Sequence, residues 1–297
     1  MQICIHRGAK EIGGSCVEVI SNGKRLIIDL GLPLDAEKND EKYLPDISGF
    51  DGNDDSLLAI LISHPHLDHF GLLAHISSKI PVIMGADARR ILTEASRFLP
   101  GNWPIPADGF NLKSEIPIEL GPFKITPFLI DHSGYDAYAL MIEADGKCLF
   151  YSGDFRIHGR KAKLTEKLIA NPPENIDVLL LEGSTFGRLE IHKSFPSESK
   201  IEKKLIDTFT STSGLTLVHT SSQNIDRIVS IFRACKIVSG NRRRLRVSDA
   251  FSLTTLKELT MAERKMKSIE FIDRVFKMKI NLKSLRLKLN SSLINAA

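Results

Sequence analysis

Short apolar runs separated by glycine, proline and aspartate alternate with segments of helical spacing along the first 183 residues. Runs of this kind are typical of strands joined by polar loops. The predicted strands are Val17–Ile20, Arg25–Leu30, Leu57–Ile62, Phe123–Ile130, Cys148–Tyr151 and Val178–Leu181. The predicted helices are Phe70–Lys79, Ala86–Phe98 and Leu164–Ala170. Interleaved strands and helices indicate an α/β layered fold with polar loops at the strand ends.

The pattern changes from about residue 190. Glu198–Phe209 and Asn224–Cys235 have the spacing of amphipathic helices, and Leu215–Thr220 between them is a predicted strand. This order predicts the start of a second domain. We therefore expect a first domain over residues 1–188 and a partial second domain over residues 189–238.

The remaining residues, 239–297, form an atypical basic tail. They hold 14 Lys and Arg against five Asp and Glu, a balance of +9 that leaves −5 for residues 1–238. They contain no proline or histidine, although the whole chain has 13 and nine. Leu256, Leu259, Ile269, Ile272 and Phe276 fit two basic amphipathic helices.

Three explanations of the tail stay open. The first is out-of-frame translation after a frameshift near Val238, which fits the abrupt change in composition. The second is a divergent RNA-binding helix pair, in which Arg242, Arg243 and Arg244 contact phosphates. The third is a split enzyme that another chain completes.

Composition indicates a water-soluble globular protein. The 297 residues are 42% hydrophobic and 26% charged, close to the average for such proteins. No apolar run reaches the roughly 18 residues needed to cross a bilayer, and Met1–Lys10 carries charges where a signal peptide needs an apolar core. We expect a cytoplasmic protein without a membrane partner. The four cysteines form no C-x-x-C pair, so neither a thiolate zinc site nor a redox motif is expected.

Four residues that can bind metal follow directly after the predicted strand Leu57–Ile62. They are His64, His66, Asp68 and His69. Residues two apart share a direction in extended backbone, so His64 and His66 point the same way, and a turn then brings the other two to a second position. Imidazole nitrogen and carboxylate oxygen suit zinc, and manganese or iron is tolerated as the carboxylate share rises.

Two further candidate ligands follow later strands. His132 comes after Phe123–Ile130, and Asp154 comes after Cys148–Tyr151. A carboxylate can bridge two metals about 3.5–4 Å apart, so Asp154 is suited to lie between them. One metal is assigned three histidines and the other a carboxylate and a histidine, namely His64, His66 and His132 for the first and Asp68 and His69 for the second.

The string from His64 to His69 resembles the His-x-His-x-Asp-His signature of the metallo-β-lactamase superfamily. Four more segments resemble its β-CASP branch, which processes nucleic acids, particularly ribonuclease J and the cleavage/polyadenylation-type nucleases. They are Glu11–Cys16, Asp29–Gly31, Tyr151–Phe155 and Leu181–Gly187. The similarity extends over about residues 1–238. It implies an αββα sandwich, here incomplete, followed by the start of a β-CASP domain.

The resemblance also implies roles. Asp29 matches an aspartate that supports the metal loop by hydrogen bonding, and Glu182 matches a catalytic acidic residue that pairs with a later histidine. Asp68 would orient the nucleophile while it binds metal. Two divalent metals would activate a hydroxide that cleaves RNA phosphodiesters and leaves a 5′-phosphate, with DNA as the other substrate considered.

The chain departs from the family in lacking any histidine after His219. The second metal then keeps only Asp68, His69 and Asp154, so we expect one tightly bound metal, a weak second one, and little or no nuclease activity from this chain alone. A homo-oligomer or a second chain would complete the site. Two alternatives stay open: a small-molecule metallo-hydrolase of the thioesterase or lactonase type, and a catalytically dead RNA-binding module.

Overall fold

The computed structural model describes residues 1–96, 109–184, 194–213, 216–221 and 223–239. The predicted basic tail lies outside these ranges apart from Ser239, so its helices and the three explanations of it stay predictions. Residues 185–187 of the segment Leu181–Gly187 also lie outside the described ranges.

Strands and helices alternate along most of the described chain. The strands are β1 (Gln2–Arg7), β2 (Cys16–Ser21), β3 (Lys24–Ile28), β4 (Leu57–Leu61), β5 (Val82–Gly85), β6 (Asn111–Leu112), β7 (Ile118–Leu120), β8 (Phe123–Ile130), β9 (Ala137–Ala144), β10 (Lys147–Tyr151) and β11 (Val178–Leu180). The α-helices are α1 (Leu67–Phe70), α2 (Ala86–Ser96), α3 (Ala162–Ala170), α4 (Glu198–Ser211) and α5 (Ile225–Ser239).

The strands form two sheets. The first has the order β1-β2-β3-β4-β5-β6, antiparallel from β1 to β3 and parallel from β3 to β6. The second has the order β11-β10-β9-β8-β7, antiparallel except for the parallel pair of β10 and β11. The two sheets pack face to face, because a single apolar cluster contains buried side chains of both.

The central strand β4 is buried on both faces. Ala59 and Leu61 belong to the cluster between the sheets, whereas Ile60 belongs to the cluster on the outer face of the first sheet. All three side chains are fully buried. A parallel central strand covered on both sides has to be apolar throughout, which explains the unbroken apolar run in this part of the sequence.

Helices cover the outer faces of the sheets. Phe70 of α1 and Leu92 of α2 pack on the first sheet, and Leu168 of α3 packs against Phe150 and Ala139 of the second. The layers are therefore helix, sheet, sheet and helix, and the predicted αββα sandwich is confirmed. At the edge strand β11 and directly after it, Leu179 and Leu181 are 56% and 62% exposed.

The predicted helix Phe70–Lys79 is wrong beyond its start. The chain forms the short helix α1 and then only a 3₁₀ turn over Leu73–His75. Backbone hydrogen bonds to other segments take the place of helical ones, since Leu72 N donates to Leu30 O. This bond holds the residues after α1 against the loop that follows β3.

Further differences concern strands, since β1, β5, β6, β7 and β9 are not among the predicted ones. The central strand β9 was not predicted, because Ala137–Ala144 is rich in alanine, leucine and methionine, which also form helices. Pairing with β8 on one side and β10 on the other outweighs that preference. Conversely, residues 216–220 of the predicted strand Leu215–Thr220 form no strand. Leu217 is 72% exposed there, and none of the described strands supplies the cross-strand pairs that stabilise a strand.

The predicted helices of the second domain are present as α4 and α5. They pack against each other through Phe209, Ile231 and Ala234. The predicted domain boundaries stay predictions. Among the described residues, no helix combines the length and the apolar character that crossing a membrane requires.

Gly31 offers a test of how α1 is positioned. A Cβ on Gly31 would lie 1.7 Å from the carbonyl oxygen of Asp68, which is backbone and cannot move aside. We expect Gly31→Ala to lower the free energy of unfolding by about 3 kcal/mol or more. Gly183→Ala is the control, because a Cβ there meets no atom of the described residues within 4 Å. Chemical denaturation measures both, and equal stability of the two variants would contradict the packing described.

Candidate metal centre

The six predicted ligands come from three strand ends at one edge of the sandwich. β4 leads into residues 63–69, β8 into His132, and β10 into Asp154. The two sheets are joined here by backbone, since Tyr138 N at the start of β9 donates to Ser63 O at 2.9 Å. Ligands from both sheets are thereby brought to one place.

Three imidazoles face a common point. His66 Nδ1 lies 3.1 Å from His64 Nε2 and 3.1 Å from His132 Nε2. The ring centroids are 4.5–4.8 Å apart and the rings meet edge to face. Gly134 leaves room for them, because a Cβ there would lie 3.0 Å from His64 Cδ2. We call His64, His66 and His132 the three-histidine group; three imidazole nitrogens are a ligand set typical of zinc.

A second group lies beside the first. His69 Nε2 is 3.5 Å from Asp154 Oδ1 and 3.8 Å from Asp68 Oδ2. The ring of His64 is 4.0 Å from that of His69, and His64, His69 and Asp154 offer ligand atoms within 4.8 Å of one another. We call His69, Asp68 and Asp154 the carboxylate group; it adjoins the three-histidine group through His64.

A buried carboxylate just after β3 contacts both groups. Asp29 Oδ1 accepts from Ser63 N at 2.7 Å, and Oδ2 accepts from Ser63 Oγ at 2.8 Å. Oδ2 also accepts from Tyr151 OH at 2.7 Å and from His69 Nδ1 at 2.7 Å. Asp29 is fully buried and has a φ of 59°. It thus lies where the resemblance places a supporting residue, although that role stays a prediction.

These bonds settle where the ring protons lie. Because Ser63 Oγ gives its proton to Asp29, it accepts from His64 Nδ1, which lies 3.0 Å away. The lone pair of His64 is then on Nε2 and faces the other two imidazoles. A carboxylate without a proton only accepts, so His69 Nδ1 donates to Asp29 and His69 Nε2 faces Asp154. Asp29 is thus bonded to His69 directly and to His64 through Ser63, an arrangement that outer partners of metal-binding histidines also have.

Burial keeps the three-histidine group neutral. It lowers the pKa of His64 and of His132 well below the usual value, and neighbouring imidazoles lower it further. Burial, with the nearby His69, lowers the pKa of His66 to about 4. Neutral imidazoles keep a lone pair on one nitrogen, so near neutral pH this group offers three lone pairs to a cation.

The carboxylate group has the opposite character. Burial alone would lower the pKa of His69, but the carboxylates of Asp29 and Asp154 raise it well above its usual value. Burial alone would raise the pKa of Asp154, but the hydrogen bond to His69 lowers it. The pKa of Asp68 is raised, because its burial outweighs the attraction of His69. Several acidic side chains around one imidazole favour positive charge here.

The residues present fit divalent cations. Three lone pairs that converge in a buried place repel one another unless a cation lies between them. His132 Nδ1 is also buried without a hydrogen-bond partner among the described residues. A cation bound to His132 Nε2 would give this ring a strong bonding partner, which its Nδ1 lacks among the described residues. The adjoining acidic side chains favour a second cation.

Glu182 lies outside both groups. Its Oε2 accepts from Ser184 Oγ at 2.6 Å and from Ser184 N at 3.0 Å, and its Oε1 accepts from Phe155 N at 3.4 Å. Within the described chain Glu182 hydrogen-bonds none of the six predicted ligands. It does accept a hydrogen bond from the backbone of Phe155, which follows Asp154. Its catalytic role stays a prediction.

Ser63 and Tyr151 were not predicted as site residues. Burial and the carboxylate of Asp29 raise the pKa of Tyr151 well above its usual value, so its hydroxyl keeps the proton that it donates to Asp29. A signal for both was available. Each is a polar side chain at the buried end of an apolar strand, close in sequence to a predicted ligand, where it needs a hydrogen-bond partner.

Comparisons with known proteins agree with this geometry. The sequence model of the beta-lactamase superfamily domain matches residues 49–228. Ribonuclease J of Helicobacter pylori is 28% identical over 229 residues, which are 74% of this chain and 33% of that protein. Transcription termination factor FttA of Methanothermobacter thermautotrophicus is 27% identical over 225 residues, which are 69% and 34%. The chain thus spans about a third of the length of these relatives.

A solved structure has the same fold. It is a protein of unknown function from Enterococcus faecalis, with a TM-score of 0.67 at 18% sequence identity. The match covers 86% of this chain and 74% of that one. At this identity the likeness concerns the fold alone.

The role of Asp29 can be tested by Asp29→Asn, which keeps its shape but removes the charge that three side chains share. We expect the affinity for Zn²⁺ to fall about 10–100-fold, because His64 and His69 lose the bonds that orient them. Competition with a coloured chelator measures it. Asp145→Asn, which alters a 63% exposed carboxylate, is the control. Unchanged zinc affinity in a folded Asp29→Asn variant would contradict the role assigned to Asp29.

Proposed function

The chain belongs to the metallo-β-lactamase superfamily, and on this premise we propose that it is a metal-dependent hydrolase of the ribonuclease J type that cleaves RNA phosphodiesters. One observation carries the proposal. Four imidazoles and two carboxylates, from three strand ends of two different sheets, converge on one place. Such a set serves hydrolysis by metal-activated water.

Divalent ions bound here would make water acidic enough to attack near neutral pH and would polarise a phosphoryl oxygen. The three-histidine group would hold one ion. The carboxylate group would hold the second ion, and Asp154 would be its ligand nearer the first ion. Asp68 is 18% exposed, so its carboxylate can accept a hydrogen bond from the attacking water and aim it at phosphorus. Without metal, Asp68 and Asp154 would repel an RNA phosphate, so productive binding of RNA depends on the loaded site.

RNA as the substrate is supported by the relatives. The names of those from Helicobacter pylori and Mycobacterium tuberculosis are both ribonuclease J. The helix pair α4–α5 that follows the sandwich, together with the position of Glu182, supports the β-CASP branch over small-molecule hydrolases of the superfamily. We place the activity in the cytoplasm. A homo-oligomer or second chain that completes the site belongs to the same proposal.

We propose zinc for the three-histidine group, since its donors are all imidazole nitrogens. The carboxylate group has more oxygen donors, so manganese suits it as well as zinc. With Asp68, His69 and Asp154 as its protein ligands, the second ion needs water to complete its coordination and is held more weakly.

Metal analysis tests this difference. After zinc loading and long dialysis, we expect one tightly retained ion per chain and progressive loss of the second. His66→Ala should abolish the tight retention, because it removes a ligand of the three-histidine group. Retention of two ions by the unchanged chain would contradict the proposed order of affinities.

A cleavage assay tests the reaction. The full chain, loaded with zinc or manganese, is incubated with 5′-monophosphorylated RNA, and new 5′-phosphate ends are counted. We expect slow cleavage that His66→Ala reduces at least ~100-fold, since even residues around metal ligands contribute about 10–100-fold. His75→Ala is the matched control, because within the described chain the ring of His75 hydrogen-bonds Asn39 and lies outside both groups.

Other outcomes would contradict the proposal. Turnover of a thioester without RNA cleavage would indicate a small-molecule hydrolase. Salt-sensitive RNA binding that survives His66→Ala, without cleavage, would indicate a binding module. Cleavage that is equal in His66→Ala and the unchanged chain would trace the activity to another site.

A further inference from the structure

The start of α5 contacts all three loops that bear the metal ligands. Gln223 Nε2 donates to the backbone oxygen of Pro65 at 2.7 Å. Asn224 forms an antiparallel backbone bridge with Gly134. Asp226 Oδ2 accepts from Arg156 Nη2 at 2.5 Å. We call residues 223–226 the clamp segment.

Each contact falls next to a predicted ligand. Pro65 stands between His64 and His66 in the sequence. Gly134 comes two residues after His132, and a Cβ added to it would lie 3.0 Å from the ring of His64 and 3.2 Å from that of His66. Arg156 comes two residues after Asp154. The clamp segment therefore contacts residues that neighbour the predicted ligands of both metal groups, but it contributes no ligand itself.

Arg156 joins two of these loops to the clamp segment. Its Nε donates to Asp131 Oδ1 at 3.2 Å, while its Nη2 donates to Asp226. Asp131 is fully buried, directly precedes His132 and accepts a second bond from Gly159 N at 2.7 Å. One guanidinium thus ties the loop of His132 and the loop of Asp154 to α5. Breaking such a buried pair on one side leaves a charge without its partner, which is costly.

The helix α5, in which the clamp segment ends, is bonded to α4. Ser230 Oγ donates to Glu198 Oε2 at 2.6 Å, and Arg227 Nη2 pairs with the same carboxylate at 3.0 Å. Ile225 and Ile228 are buried. Because α4 and α5 also share an apolar cluster, the clamp segment is continuous with a packed helix pair.

We propose that the clamp segment positions the metal ligands, so that docking of the α4–α5 pair on the sandwich determines how tightly the metal is held. The inference rests on the metal-binding part of the proposed function and is independent of the substrate. Coupling of this kind is reciprocal: if docking tightens metal binding, metal must stabilise docking by the same factor.

Two variants and one control test the proposal in the full chain. Gln223→Ala removes the bond to Pro65, and Asp226→Asn removes one of the two carboxylate charges that pair with Arg156. Glu202→Gln is the control. Glu202 pairs with Arg160, whose backbone N donates to Asp226 Oδ2 at 3.0 Å. Within the described chain, however, Glu202 forms no hydrogen bond or ion pair with residues 63–69, 131–134 or 154–156. Chelator competition measures the affinity for Zn²⁺, and thermal unfolding without metal reports stability.

We expect zinc affinity to fall about 10-fold in each clamp variant and to stay unchanged in Glu202→Gln. This difference in affinity should be present even if the three variants have similar unfolding temperatures. If Asp226→Asn does not fold, Gln223→Ala decides, since it removes one neutral hydrogen bond. Amide exchange gives the reciprocal readout: zinc should slow exchange along α5 in the unchanged chain and do so less in Gln223→Ala.

Folded clamp variants that bind zinc as tightly as the unchanged chain would overturn the proposal. So would a Glu202→Gln variant that loses as much affinity as they do, because the effect would then be general loosening of the helix pair. None of these measurements contains RNA, so absence of nuclease activity would leave the result for the clamp segment unaffected.

Discussion

A single buried carboxylate, Asp29, is the constraint around which the candidate metal centre is arranged. It is fully buried and accepts four hydrogen bonds, two from Ser63 and one each from Tyr151 and His69. A buried carboxylate without such donors is very costly, so its partners are obliged to lie around it. Because those partners stand beside ligands from both sheets, satisfying one buried charge also places imidazoles of both groups.

The charge distribution of the candidate metal centre is uneven, and it favours bound cations. The three-histidine group is neutral because burial lowers its pKa values, whereas the carboxylate group gathers acidic side chains around His69. A cation on the first satisfies convergent lone pairs, and a cation on the second balances charge. The different chemistry of the two groups explains why one ion should be held more tightly than the other.

Much of this was predictable from local sequence. β8 runs from Phe123 to Ile130 as predicted, and the ligand string follows an unbroken apolar strand. What escaped prediction depends on contacts between distant residues. β9 is a strand because of its two neighbours in the sheet, and the bond from Gln223 to Pro65 spans 158 residues. Neither leaves a periodic signal, because pairing and docking of this kind are decided by the assembled layers.

We infer that imidazoles carried by two different sheets bind one cation together. Anomalous diffraction at the zinc absorption edge, from crystals of the zinc-loaded chain, locates that cation. We expect a strong peak enclosed by the ring nitrogens of His64, His66 and His132. A peak at another place in the molecule, or no peak near these rings at full zinc loading, would contradict it.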